Sequence, residues 1–132
     1  MRLLADTSAL LALFLSDEKN HRAAARFLHE NPRARFVLTE LVFAELVTHL
    51  RSRVGAPKAV ATANKLLESQ RFELLFVDIV LLGEALKRLE RYGDKRLSLT
   101  DCASFATIER LKLDAAFAFD ADFRDCGFRM VP

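Results

Sequence analysis

Short apolar runs alternate along this chain with longer segments whose apolar residues recur three and four positions apart. The short runs predict strands and the longer segments predict helices. The predicted strands are Arg2–Ala5, Phe36–Leu38, Leu74–Val77, Ala115–Phe119 and Phe128–Val131. The predicted helices are Ala9–Leu15, His21–Glu30, Glu40–Arg53, Lys58–Ser69, Ile79–Tyr92 and a last helix that follows Ser98 and ends at Leu111. This alternation predicts an α/β fold with a mainly parallel sheet covered on both faces.

Polar residues that can cap helices mark several of the predicted boundaries. Asp6-Thr7-Ser8 separates the first strand from the first helix, and Thr39 is a good N-cap for the third helix. Ser98 and Asp101 match the capping-box pattern. Glu40 is interpreted as a first-turn charge that favours the helix dipole.

The length and composition indicate one folded domain. The chain has 132 residues, 52% of them apolar and 29% charged, so general disorder is excluded and residues 1–132 are expected to form a single domain. The longest apolar stretches are interrupted by acids, which predicts no membrane span. Cys102 and Cys126 lack metal-site or redox spacing and are expected to be reduced core residues of a cytoplasmic protein.

The net charge is close to neutral, at +2. If several acids were gathered and neutralised by cations in one site, the remaining surface would be basic and would attract phosphates. The charge therefore gives weak support to a nucleic-acid substrate. The aromatic residues are eleven Phe and one Tyr, which suits packing better than the stacking surface of a dedicated single-strand binder.

Four acids are predicted to converge at one edge of the sheet. Asp6 and Asp120 each follow a strand, and the carboxyl ends of parallel strands share an edge at which ligands bind. Asp101 begins a helix that enters from this edge, and Glu45 faces inward on the third helix. Taken singly, each acid has an ordinary explanation: a helix cap for Asp6 and Asp101, an ion pair for Glu45, and a turn for Asp120 and Asp122.

Clustered carboxylates repel one another and need a cation. The acids have no HExxH motif or Cys pair beside them, so zinc is disfavoured, and oxygen ligands indicate Mg²⁺ or Mn²⁺. Such ions at a sheet edge suit phosphoryl chemistry. The sequence also lacks GxxxxGK[ST], GxGxxG and GxSxG, which excludes phosphate-loop, dinucleotide-binding and nucleophile-elbow motifs.

With these residues in view, the chain resembles the PIN-domain ribonucleases, and among them the VapC-like toxins of toxin-antitoxin pairs. The matching segments occur in the family's order, and they are Leu3-Leu4-Ala5-Asp6-Thr7-Ser8, Phe43-Ala44-Glu45-Leu46, Leu97-Ser98-Leu99-Thr100-Asp101-Cys102-Ala103 and Phe119-Asp120-Ala121-Asp122-Phe123. The resemblance implies a three-layer α/β/α PIN-like domain.

The resemblance also implies the site and its chemistry. Asp6, Glu45, Asp101 and Asp120 would bind Mg²⁺ or Mn²⁺ and position water for attack on an RNA phosphodiester, with Asp122 as an additional candidate ligand. One departure is Ala118, where the family often has Thr or Ser two residues before its last acid.

The resemblance further implies partners: a second copy of the chain in a homodimer, and a VapB-like antitoxin that covers the acidic cleft. The Glu40–Arg53 helix carries apolar residues opposite Glu45, which fits either a partner surface or a plain buried helix. Two other functions stay open, namely a PIN-like RNA- or protein-binding module without turnover, and a phosphatase or phosphoacceptor domain. The second is disfavoured because the first strand is not followed by a second early acid.

Overall fold

Five parallel strands form the central sheet in the computed structural model, which describes residues 1–132. They are β1 (Arg2–Ala5), β2 (Arg35–Thr39), β3 (Phe72–Leu75), β4 (Ala115–Phe117) and β5 (Met130–Val131). Their order across the sheet is β3-β2-β1-β4-β5. The chain thus builds the sheet outward from β1 in one direction and then returns to place β4 and β5 on the other side.

Seven helices cover the sheet. They are α1 (Thr7–Phe14), α2 (His21–Glu30), α3 (Glu40–Val54), α4 (Ala56–Glu68), α5 (Ile79–Arg91), α6 (Leu99–Leu111) and α7 (Asp122–Asp125). None of them is both long enough and apolar enough to cross a bilayer. The predicted α/β fold is confirmed, and the sheet is parallel throughout.

Alternate residues of the central strands enter two separate cores, which produces the three layers. Leu3 of β1 and Phe36 of β2 pack with buried residues of α1 to α4 on one face. Leu4 and Val37, the next residues along the same strands, pack with α5, α6 and α7 on the other face. The strands β1, β2 and β4 are buried on both sides, which explains their apolar sequences.

Aromatic rings hold the first core together. Phe36 stacks on Phe72 with ring centroids 4.8 Å apart and lies 5.3 Å from the ring of Phe117. Phe117 in turn stacks on Phe27 of α2 at 5.4 Å. One aromatic cluster therefore joins β3, β2 and β4 to helix α2, and it spans the intervening strand β1.

Side-chain hydrogen bonds end two strands earlier than the sequence predicts. The third strand stops at Leu75 rather than Val77, because the amide of Val77 donates to the Glu40 carboxylate, at 2.9 and 3.0 Å to its two oxygens. The fourth strand stops at Phe117 rather than Phe119, because the Phe119 amide donates to Ser8 Oγ at 3.0 Å. In both cases the amide donates to a side-chain oxygen instead of to a carbonyl of the neighbouring strand.

Other differences are local. Residues 122–125 form the short helix α7 where the sequence predicts a turn, and Phe128 donates its amide to the Phe123 carbonyl, so β5 begins only at Met130. α4 begins at Ala56 because Pro57 is accommodated in its first turn. Cys102 is buried and Cys126 half-buried, and both are free thiols.

The apolar side of the third helix packs within the protein. Leu50 is buried, and Phe43 contacts the first core. The buried-helix explanation therefore holds for Leu50, whereas Phe43 is half-buried and keeps part of its surface exposed.

We expect Phe36→Ala to lower the free energy of unfolding by about 3–5 kcal/mol, because it removes a fully buried ring that contacts two others. Urea denaturation measures the change. Val60→Ala is the control, since Val60 is exposed on α4 and its truncation should change stability by less than about 0.5 kcal/mol. Equal losses in the two variants would contradict this account of the core.

Candidate active site

The candidate site lies at the carboxyl edge of the sheet, between β1 and β4. These strands are neighbours, yet the chain continues from β1 towards β2 on one side and from β4 towards β5 on the other. A crevice forms where the direction of winding reverses in this way, and ligands bind there in open α/β sheets. Asp6 directly follows β1, and Asp120 lies in the loop after β4.

Asp6 is the most buried of the predicted acids, with 4% of its surface exposed. It is the N-cap of α1, and its Oδ2 accepts hydrogen bonds from the Ser8 amide at 3.1 Å and the Ser8 hydroxyl at 2.6 Å. The same hydroxyl accepts a hydrogen bond from the Phe119 amide at 3.0 Å. Ser8 therefore links the Asp6 carboxylate to the loop that carries Asp120.

Glu45 is half-buried in α3 and faces α1. Its Oε1 accepts a hydrogen bond of 2.8 Å from the hydroxyl of Thr7, the buried residue that follows Asp6. The predicted inward orientation of Glu45 is thus explained by a specific donor from the first helix, rather than by an Arg partner.

Asp101 and Asp120 are held by backbone amides. Asp101 forms the predicted capping box, in which its Oδ2 accepts from the Ser98 amide at 3.1 Å and its own amide donates to Ser98 Oγ at 3.0 Å. Asp120 Oδ1 accepts from the Asp122 amide at 2.9 Å. The local explanations of Asp101 as a cap and Asp120 as a turn residue are therefore both correct.

A common pattern unites the four acids: in each, one carboxylate oxygen is held and the other is free. The held oxygens accept hydrogen bonds from Ser8, Thr7, Ser98 and Asp122. The second oxygen of each carboxylate accepts no hydrogen bond from the protein. A local structural role thus leaves every acid with one oxygen available to a ligand.

The acids also influence one another electrostatically. Burial raises the pKa of Asp6 to about 6; the Ser8 hydrogen bonds oppose this rise, and the negative charges of Asp101 and Asp120 add to it. Burial likewise raises the pKa of Asp101, with further contributions from Asp120 and Glu45. The carboxylates of Asp6 and Asp101 therefore lie within electrostatic reach of the other acids of the group, although the four acids come from four separate segments.

Asp122 and Glu40 lie at the margin of this group. Burial, the negative charges of Asp120 and Asp125 and a side-chain hydrogen bond with Asp120 raise the pKa of Asp122, and the Asp122 amide also donates to Asp120. Glu40 is in the first turn of α3, as predicted, and both its oxygens accept from the Val77 amide. Its carboxylate is therefore engaged in holding the end of β3.

The donor set fits a hydrated divalent cation. No three His, Cys, Asp or Glu side chains are arranged so that they could hold one metal ion together, so the four acids do not form a complete set of ligands around one point. Mg²⁺ prefers oxygen ligands and keeps several waters while one or two carboxylates bind it directly. Free oxygens on mutually repelling carboxylates are suited to such an ion.

Thr7 and Ser8 are the positioning residues that sequence reasoning missed. The Asp6-Thr7-Ser8 segment predicts helix capping, but only Asp6 is the cap, and the helix starts at Thr7. The hydroxyls instead bind Glu45 and Asp6. The sequence does contain a signal for these roles, because two hydroxyl residues, Thr7 and Ser8, directly follow Asp6. Ala118, which lacks the hydroxyl often found there in the family it resembles, is buried and donates its amide to the Val131 carbonyl.

The model of the PIN domain family matches residues 3–129. The chain belongs to the PIN domain family. It is 32% identical over 124 residues to the 23S rRNA-specific endonuclease VapC20 of Mycobacterium tuberculosis, covering 93% of this chain and 92% of that protein. It is 27% identical to the ribonuclease VapC26 of the same species, over 89% of this chain and 86% of that one.

Solved structures share the architecture of this PIN domain. The crystal structure of Mycobacterium tuberculosis VapC20 matches with a TM-score of 0.87 and 30% identity, over 96% of this chain and 95% of that chain. VapBC2 from Rickettsia felis, bound to a promoter DNA fragment, matches with a TM-score of 0.73 at 12% identity, over 98% of this chain and 97% of that chain. Because its sequence identity is only 12%, the match to VapBC2 shows that the fold is shared and nothing further.

In the absence of divalent cations, we expect this PIN domain to lose stability as the pH rises from about 4 to about 6. Over that range folded Asp6, with its pKa of about 6 against an ordinary 3.8, binds more protons than it does in the unfolded chain. The free energy of unfolding should therefore fall by up to about 3 kcal/mol and then level off. Urea denaturation in EDTA across this range measures the loss.

Asp6→Asn should remove most of this pH dependence and be more stable than the unsubstituted chain above pH 6. Asp94→Asn is the control, because Asp94 is exposed in the loop before α6 and forms no ion pair. If the stability of Asp6→Asn depended on pH as strongly as that of the unsubstituted chain, Asp6 would not be the group responsible.

Proposed function

We propose that this PIN domain is a divalent-metal-dependent endoribonuclease and the toxin of a VapBC-like toxin-antitoxin pair. The observation that carries the proposal is the group of four acids at the sheet edge, each with one oxygen held and one free. The similarity to VapC20, a protein named as a 23S rRNA-specific endonuclease, supports RNA as the substrate class.

We assign metal binding and catalysis to Asp6, Glu45, Asp101 and Asp120, with Asp122 as an additional ligand candidate. Mg²⁺ or Mn²⁺, when bound, neutralises the carboxylates, activates water and stabilises the leaving oxygen of the phosphodiester. Thr7 and Ser98 fix the rotamers of Glu45 and Asp101 and so direct their free oxygens. This fixed geometry limits the reorganisation needed during the reaction.

Ser8 has a separate positioning role in this proposal. Its hydroxyl donates to Asp6 and accepts from the Phe119 amide, so one side chain fixes the separation between the end of β1 and the loop after β4. The two acids on either side of the crevice are thereby held in register with each other.

The same charges make RNA binding dependent on the cation. Like charges at about 4 Å repel by about 4 kcal/mol at an effective dielectric constant of about 20, and an RNA phosphate adds another negative charge. Neutralisation of the acids therefore has to accompany the approach of the phosphodiester. For the same reason, we expect an inhibitory protein to place an Arg or Lys side chain against the acids, where its charge would neutralise them.

Several further expectations belong to this proposal. We propose that residues 1–132 form one domain, since both cores share a single sheet. We expect a homodimer, checked by light scattering, and a cytoplasmic location, where a ribonuclease toxin meets its RNA. The solved structure of VapC20 is described as a sarcin-ricin loop cleaving toxin, so an RNA containing that loop is the first substrate to test.

RNA cleavage should require divalent metal and should fall by about two orders of magnitude or more in Asp6→Asn, Glu45→Gln, Asp101→Asn and Asp120→Asn. Each change removes a ligand charge while retaining side-chain size and a hydrogen-bond acceptor. Initial rates on the loop RNA and on other structured RNAs, with Mg²⁺, Mn²⁺ or EDTA, measure the effect.

Glu40→Gln is the matched control on α3, because a glutamine oxygen still accepts from the Val77 amide outside the site. A loss equal to that of Glu45→Gln would show that the inward-facing acid is assigned wrongly. RNA binding without cleavage under all metal conditions would support the non-catalytic binding module instead, and release of phosphate from monoesters would support the phosphatase.

We also expect inhibition by the small protein encoded beside this chain. Solved structural relatives include a toxin-antitoxin complex from Klebsiella pneumoniae and VapBC-1 from nontypeable Haemophilus influenzae. A basic residue in the tail of such a partner would pair with the acids and compete with the cation. Co-expression should restore cell growth and abolish RNA cleavage, and alanine replacement of that basic residue should reverse the inhibition. A neighbour that binds without changing cleavage would contradict the toxin assignment but not the nuclease.

A further inference from the structure

A polar groove lies between α5 and α6, on the face of these helices that is turned away from the sheet. It has a volume of about 360 Å³, and no apolar side chain lines it. Its lining residues are Glu84, Lys87, Arg88, Arg91, Glu109 and Arg110. The groove therefore contains four cations and two acids, and none of them belongs to the acidic site.

Ion pairs use up the acids of the groove and leave two cations unpaired. Arg88, which is 8% exposed, pairs with Glu109, and Arg110 pairs with Asp78 and Glu84. Lys87 and Arg91 are exposed and form no ion pair. Because they are four residues apart on α5, their side chains lie on the same face of the helix.

The unpaired positive charge continues from the groove towards the acidic site. α5 and α6 are antiparallel, since Asp78, before the start of α5, pairs with Arg110 near the end of α6. The end of α5 at Arg91 is therefore on the same side as the start of α6, where Asp101 lies. Lys95 and Arg96 are exposed in the connecting loop and form no ion pair. We call Lys87, Arg91, Lys95 and Arg96 the basic stripe.

The position of the connecting loop places the stripe beside the acidic site. Lys95 and Arg96 lie between the end of α5 and Ser98, the N-cap of α6, and Asp101 is in the first turn of that helix. The favourable interaction of cations with a helix C-terminus accounts for Arg91 but not for Lys95 and Arg96, which follow the helix. Four cations that form no ion pair thus extend from the α5–α6 groove towards the acids, and they outnumber the exposed acids of the same segment, Glu90 and Asp94.

We propose that the basic stripe binds the phosphodiester backbone of the RNA substrate to one side of the cleaved bond. This inference rests on the proposed ribonuclease function. Arg and Lys side chains recognise consecutive phosphates without reading base sequence. A groove without apolar lining is unlike the buried centre of a protein interface, which favours RNA over a protein partner. The stripe then offsets the repulsion between RNA and the acids.

The test compares Lys87→Ala/Arg91→Ala with Arg22→Ala/Arg26→Ala. The control pair has the same spacing and charge, is exposed without ion pairs, and lies on α2 across the sheet. The dissociation constant of a labelled loop RNA is measured with Mg²⁺ over a series of salt concentrations, with Asp101→Asn added to every variant for this measurement so that little RNA is cleaved. Cleavage kinetics with Mg²⁺ or Mn²⁺ are measured in parallel, and thermal unfolding checks that each variant is folded.

We expect Lys87→Ala/Arg91→Ala to weaken RNA binding by about tenfold and to reduce the slope of log affinity against log salt by roughly 1.4–1.8, the value for two lost phosphate contacts. KM should rise while kcat stays within about twofold. The control pair should bind and cleave as the unsubstituted chain does.

Unchanged RNA affinity and salt dependence in the stripe variant, or an equal loss in the control pair, would overturn the inference while leaving the nuclease proposal intact. Intact RNA binding with lost binding of the neighbouring antitoxin would also overturn it and assign the groove to a protein. If the unsubstituted chain cleaves no RNA, the proposed function itself fails, an outcome distinct from the others.

Discussion

The pairing of β1 with β4 at the centre of the sheet is the interaction on which the rest of the structure depends. Leu3, Leu4 and Ala5 lie opposite Ala115, Ala116 and Phe117, and the pairing ends with the Asp6 amide donating to the Phe117 carbonyl at 3.0 Å. This pair divides the two directions of winding and therefore creates the crevice. It also directs the loops that carry Asp6 and Asp120 towards the same edge.

The acids at this edge are held by interactions that also stabilise the fold. Asp6 caps α1 and Asp101 belongs to the capping box of α6, so each carboxylate contributes to its own helix. The same hydrogen bonds favour the ionised forms and offset part of the cost of burial and mutual repulsion. In Asp6 and Asp101, one carboxylate oxygen is thus used to hold the start of a helix, and the other accepts no hydrogen bond from the protein.

Local patterns in the sequence predicted the fold class and the four acids, because strand periodicity, caps and the positions of acids after strands are encoded over a few residues. Strand ends were less predictable. The amides of Val77 and Phe119 donate to the side chains of Glu40 and Ser8 instead of to a neighbouring strand. These acceptors are distant in sequence and become adjacent only in the folded chain. The groove between α5 and α6 could not be predicted for the same reason, since its charges are brought together by helix packing.

The order of the strands has a consequence for the growing chain. Asp6 and Glu45 belong to the segment that builds β1, β2 and β3, whereas Asp101 and Asp120 come from the segment that returns to β1 much later. Contacts between residues so far apart in sequence are slow to form, because the chain loses the entropy of loop closure before the favourable contacts are made. A nascent chain would therefore present only half of the acids until β4 docks beside β1. The topology itself delays assembly of this group of acids until the segment that carries β4 has been synthesised.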